Sequence, residues 1–178
     1  MRRRLAPVLR QLAGLDPGIR PVRPGGLHVT LFFLGRVETA AETPIHDLAA
    51  RVASTTAPFR LSLEGIGAFP GRSRPRVLWA GVGEGRRELE QLADSLGAAL
   101  AALGWSPASA AFRAHCTLAR LPERLGPASA SALGELRDRG PGVGPLSGAI
   151  DFLTLLESVP APHGSNRYPR RARWRLRG

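Results

Sequence analysis

The tetrapeptide His28-Val29-Thr30-Leu31 recurs later in the chain as His115-Cys116-Thr117-Leu118. Such a repeat constrains the fold more than any other feature, because it implies two similar halves that each bring one imidazole and one hydroxyl to a shared site. In an extended strand alternate side chains share a face. His28 and Thr30 therefore point one way and Val29 and Leu31 the other, and the second copy sorts alike, with Cys116 as a small core residue. The surrounding residues predict strands from Leu27 to Leu34 and from Phe112 to Leu118, each followed by an arginine, Arg36 and Arg120. A lone histidine in such a strand reads as a satisfied core residue. Repetition reverses that reading.

A chain of 178 residues can bury one good core or two small lobes that share an interface. Its apolar runs are far too short to cross a bilayer, so no membrane association is expected. The basic start, MRRRLAPVLRQL, is interrupted by Pro7 and Arg10 before a signal-like apolar region forms, and reads as a first helix. One cysteine makes no internal disulfide and no zinc cluster, which points to a reducing, cytoplasmic setting and a site without metal or other cofactor. The net charge is +11, and all 25 basic residues are arginine. A surface of this sign attracts polyanions, and guanidinium forks match phosphate oxygens, so nucleic acid is the foremost expected partner.

Helical spacing of Leu5, Val8, Leu9 and Leu12 predicts a helix over 4–14 that ends at Asp16-Pro17-Gly18. Thr43-Pro44 reads as the start of a second helix burying Ile45, Leu48, Ala49 and Val52, with His46 on its solvated side. Alternation at Phe59, Leu61 and Leu63, broken by Gly65 and Gly67, predicts one strand, and Arg76–Val82 predicts its partner. The intervening Arg72-Ser73-Arg74-Pro75-Arg76 reads equally as an RNA-backbone contact and as a solvated turn. Leu89, Leu92, Leu96, Ala99, Leu100 and Leu103 form the stripe of the clearest helix, over 85–103, closed by Gly104. A short helix over 128–139, a strand through Ile150, Phe152, Leu153 and Leu155, and a basic, partly alternating end over 168–177 complete the pattern. His163 falls in a turn and reads as a loop histidine.

On the paired His-x-Thr motifs, and on LHVTLFFLGRV, FRLSLEGIGAFPGRSRPRVLWAGV, FRAHCTLAR and, more loosely, LLESVPAPHGSNRYPRRARWRL, the chain resembles the two-histidine phosphoesterase superfamily. Within that superfamily it is most similar to the RNA 2′,3′-cyclic phosphodiesterases, also called 2′-5′ RNA ligases of the bacterial and archaeal type. The resemblance implies an α+β fold of two pseudo-symmetric lobes, with antiparallel sheets facing across a central cleft and helices outside. It implies a single bilobal domain over 1–178. Family members begin with a strand rich in phenylalanine and leucine, which is missing here, and its loss is expected to leave one sheet edge uncovered.

The resemblance further implies metal-independent hydrolysis of an RNA terminal 2′,3′-cyclic phosphate to a 2′-phosphate. It carries the catalytic pair onto His28 as proton donor and His115 as proton acceptor, although pseudo-symmetry permits the reverse. Substrate phosphate contacts fall on Thr30, Thr117 and Arg120. Two imidazoles suit the reaction, because near neutral pH one can be neutral while the other is protonated. The expected partner is RNA with a cyclic phosphate end, or a related cyclic nucleotide, bound by a monomer. Ligation through a 2′-5′ linkage is the reverse chemistry of the same site, and a non-catalytic RNA-binding module is the reading from another class.

Overall fold

In a computed structural model of the chain, residues 2–106, 112–140, 146–161 and 166–178 are described. Among these residues four helices, α1 (Arg2–Leu15), α2 (Thr39–Ser54), α3 (Arg86–Ala101) and α4 (Pro127–Arg139), pack on antiparallel strands. The strands are β1 (Arg20–Pro21), β2 (Phe59–Phe69), β3 (Val77–Val82), β4 (His115–Arg120), β5 (Leu146–Ile150), β6 (Phe152–Leu156) and β7 (Arg170–Arg175). The first five form a sheet in the order β1-β4-β3-β2-β5, and β6 and β7 form a second sheet. This is the α+β class read from the sequence. His163 lies outside the described residues.

Two apolar clusters hold these layers. The larger joins Leu5, Val8, Leu9 and Leu12 of α1 to Leu78, Ala80, Cys116 and Leu118 under the five-stranded sheet. The smaller joins Ile45 and Leu48 of α2 and Leu96 and Leu100 of α3 to Leu153 and Leu176 beside the second sheet. The predicted stripes of these helices are thus the faces that pack, which is where most helical stability arises, except that α3 ends at Ala101 and leaves Leu103, the last residue of its predicted stripe, exposed. Leu31, Phe59 and Ile150 touch both clusters.

Several elements depart from the sequence reading. The strand expected over Leu27–Leu34 is absent, because β1 and Val22 already occupy the edge of β4 as far back as Leu118. A 3-10 turn at Pro24–Gly26 then carries the chain away, and it returns to β4 only at the Val29–Cys116 bridge. Gly65 does not end β2; at φ 60° it forms a bulge between Glu64 and Ile66, and the strand runs on to Phe69. Helix α2 begins at Thr39 rather than at Thr43-Pro44, since Ala40, Ala41 and Glu42 favour helix and offset the single i→i−4 hydrogen bond that Pro44 removes inside it. His46 is half-buried and edge-on to Trp174 at 5.3 Å, rather than on the fully solvated side of α2.

Candidate active site

The ladder of β3 and β4 decides which side chains share a face. β3 alternates without interruption, with Leu78, Ala80 and Val82 buried and Val77, Trp79 and Gly81 on the opposite face. Directly paired residues of antiparallel strands point to the same side. Gly81 pairs with His115 and Trp79 with Thr117, so the second motif presents its imidazole and hydroxyl on the face away from the core.

Arg120 needs a further step. Counting in twos from His115 would send it into the core. The register instead slips by one residue between Leu78 and Trp79, and both Leu118 and Ala119 are 0% exposed. Arg120 then pairs with Val77 and returns to the face of Thr117. Re-aiming a side chain in this way is a recurrent use of a β-bulge.

The first motif meets β4 along its other edge, through the antiparallel bridge between Val29 and Cys116. One step in each direction along that register sets His28 opposite Thr117 and Thr30 opposite His115. Each rung carries one imidazole and one hydroxyl, and the rungs are about 7 Å apart at ordinary strand rise. Below them Val29 and Cys116 pack into the larger core. The structure thus brings His28, Thr30, His115, Thr117 and Arg120 to one side of β4.

Both imidazoles are held by the same local device. His28 Nδ1 lies 2.6 Å from the Gly26 carbonyl oxygen, and His115 Nδ1 lies 2.6 Å from the Arg113 carbonyl oxygen. A carbonyl only accepts, so Nδ1 carries the proton in each case and Nε2 is left to exchange protons with a ligand.

Aromatic side chains flank each histidine. Tyr168 meets His28 edge-on at 4.6 Å. Phe69 meets His115 edge-on at 5.0 Å, and Trp79 stands 6.1 Å from the same ring. Trp79 lies over Gly67, its partner on β2, where an added Cβ would come within 2.1 Å of the indole. Arg113 stacks over Phe69 at 5.9 Å. None of the three aromatics entered the candidate site from the sequence; Trp79 and Phe69 share the parity of the site face, whereas Tyr168 arrives from a distant segment with no local signal. Tyr168 also lines two adjoining cavities of about 340 and 440 Å³, in which Arg170 and Arg173, and Arg23 and Arg167, supply positive charge.

In the arginine-rich turn, Arg72 is paired with Asp138 at 2.9 Å. Arg74 and Arg76 are exposed. Among the described residues no three His, Cys, Asp or Glu side chains gather in a group that could hold a metal ion, and no helix is long and apolar enough to cross a membrane.

This arrangement has relatives. An RNA 2′,3′-cyclic phosphodiesterase of Archaeoglobus fulgidus is 39% identical over 124 residues, which cover 70% of this chain and 68% of the relative. One from Aeropyrum pernix is 37% identical over 136 residues, covering 76% of each. Among solved structures, a Thermus thermophilus protein superposes with a TM-score of 0.79 at 29% identity, covering 99% of this chain and 92% of that one. E. coli LigT complexed with 3′-AMP superposes with a TM-score of 0.72 at 30% identity, with the same coverage. Residues 3–158 match the 2′-5′ RNA ligase superfamily, and the chain belongs to that family.

Proposed function

We propose that this chain hydrolyses the terminal 2′,3′-cyclic phosphate of RNA to a 2′-phosphate by acid–base catalysis between two histidines, without metal. The observation that carries this reading is the pair of mixed rungs, each with one imidazole and one threonine hydroxyl, created by the Val29–Cys116 bridge. An in-line displacement at phosphorus needs a base on the side of the entering water and an acid on the side of the leaving oxygen. Two imidazoles on the rungs that flank the Val29–Cys116 bridge, with Nδ1 fixed and Nε2 free, meet that need.

In the forward reaction water attacks phosphorus and its proton passes to His115 Nε2. The bond to the 3′ oxygen breaks, and His28 Nε2 delivers a proton to that oxygen. Thr30 and Thr117 donate their hydroxyl protons to the non-bridging oxygens, and Arg120 offsets charge that accumulates there. The net charge of +11 favours capture of RNA over uncharged ligands. The relatives named RNA 2′,3′-cyclic phosphodiesterase support the substrate class. With an RNA 5′-hydroxyl in place of water as the nucleophile, the same displacement forms a bond from the 5′ oxygen to phosphorus, breaks the bond to the 3′ oxygen and joins RNA through a 2′-5′ linkage.

The test is product analysis. An oligonucleotide ending in a 2′,3′-cyclic phosphate is incubated with the chain and a chelator, and the product is resolved by phosphorus NMR. A 2′-phosphate supports the proposal, a 3′-phosphate reverses the roles of the two histidines, and an intact ring on bound RNA refutes the enzymatic reading.

A further inference from the structure

Strand β1 contains only Arg20 and Pro21, yet its register sets Arg20 directly opposite Arg120. Both side chains are exposed, and neither forms an ion pair or a side-chain hydrogen bond among the described residues. Some exposed arginines are paired with carboxylates, as Arg72 is with Asp138, Arg139 with Glu135 and Arg171 with Glu157, whereas Arg20 and Arg120 face each other across a ladder rung. Like charges placed directly opposite each other destabilise an antiparallel pair. Two separate backbone features nevertheless converge on this rung, namely the bulge that turns Arg120 outward and the edge strand that delivers Arg20. An anion between the two guanidinium groups would remove the repulsion and replace it with charge-assisted hydrogen bonds.

The rung lies on the same face as Thr117, three residues along β4 and so within about 10 Å of it. That is the next step along a nucleic-acid backbone from a phosphate held at the histidines. We propose that Arg20 and Arg120 form a second phosphate site, which holds the phosphodiester on the 5′ side of the terminal nucleotide. The proposal rests on the reading that the two His-x-Thr motifs hold the terminal phosphate. Arg120 borders both phosphates, whereas Arg20 serves the second alone. A cyclic mononucleotide has no phosphate at that position, so the rung selects the end of a polynucleotide over a free cyclic nucleotide.

The experiment compares two unreactive probes, a dinucleotide with a terminal 2′-phosphate and the corresponding nucleoside 2′-phosphate, by calorimetric titration against the wild type, Arg20→Ala and Arg20→Lys. The wild type is expected to bind the dinucleotide roughly tenfold more tightly than the mononucleotide. Arg20→Ala should erase that preference and lower the logarithmic salt slope for the dinucleotide by about 0.7, while Arg20→Lys keeps most of both. Equal weakening of both probes in Arg20→Ala, or no change in either, overturns the proposal. Turnover of the cyclic-ended forms is measured in parallel. An Arg20-dependent preference without turnover removes the proposed activity and leaves the phosphate site standing; turnover without the preference does the opposite.

Discussion

Val29 and Cys116 bridge in antiparallel sense, and this one contact sets the two His-x-Thr motifs side by side and head to tail. A parallel pairing would put histidine opposite histidine and threonine opposite threonine. The antiparallel one mixes them, so that each half of the site holds an imidazole beside a hydroxyl.

Replacement of either threonine by valine keeps shape and removes only the hydroxyl. If Thr30 and Thr117 donate to the non-bridging oxygens, Thr117→Val should lower kcat by roughly 10- to 1,000-fold with little change in melting temperature. Steady-state kinetics on a cyclic-ended oligonucleotide, paired with thermal melting, checks this.

Gly67→Ala should disturb His115 without touching it. The new Cβ would fall within 2.1 Å of the Trp79 indole, which must move from its place beside His115. A changed tryptophan fluorescence spectrum and a reduced kcat are expected together; unaltered activity would show that Trp79 does not position the imidazole.

Tyr168 gives a milder test on the other half. Its ring edge contact with His28 survives in Tyr168→Phe and is lost in Tyr168→Ala. The contact is worth roughly 0.5–1.5 kcal/mol, so Tyr168→Ala should cost about 2- to 13-fold in kcat/KM and Tyr168→Phe much less. Kinetics on the two variants decides between ring packing and the hydroxyl.

Leu118 is the extra residue of the bulge and is 0% exposed. Leu118→Ala should destabilise the chain by about 2–5 kcal/mol through a cavity in the larger core, measured by denaturant unfolding.

The motif faces were legible in the sequence because period-two alternation holds from His115 to Thr117 and across the single bridge at Val29. The helices were legible because their leucine stripes are the buried faces. The bulge was not, since Leu118 and Ala119 are both apolar and nothing local marks which one breaks the alternation. Arg120 was placed through family resemblance, and only the register shift explains how it reaches the site face. β1 is two residues long and β5 carries glycine at its centre, so neither offers a propensity signal, and Arg20 went unnoticed with the first of them. Gly65 reads as a break in the sequence because a glycine in a strand marks either an end or a bulge, and the choice depends on the partner strand.

The central claim is that two separated motifs form one catalytic unit, and a double-variant cycle on His28 and His115 tests it most directly. His28→Ala, His115→Ala and the double variant are assayed on a cyclic-ended oligonucleotide with chelator present. Groups that act as a unit give strongly non-additive losses. Each single variant should lose roughly 10²- to 10⁴-fold in kcat, and the double variant should be little worse than the weaker single. Losses that multiply in the double variant, or a single histidine whose removal leaves turnover intact, would contradict the account.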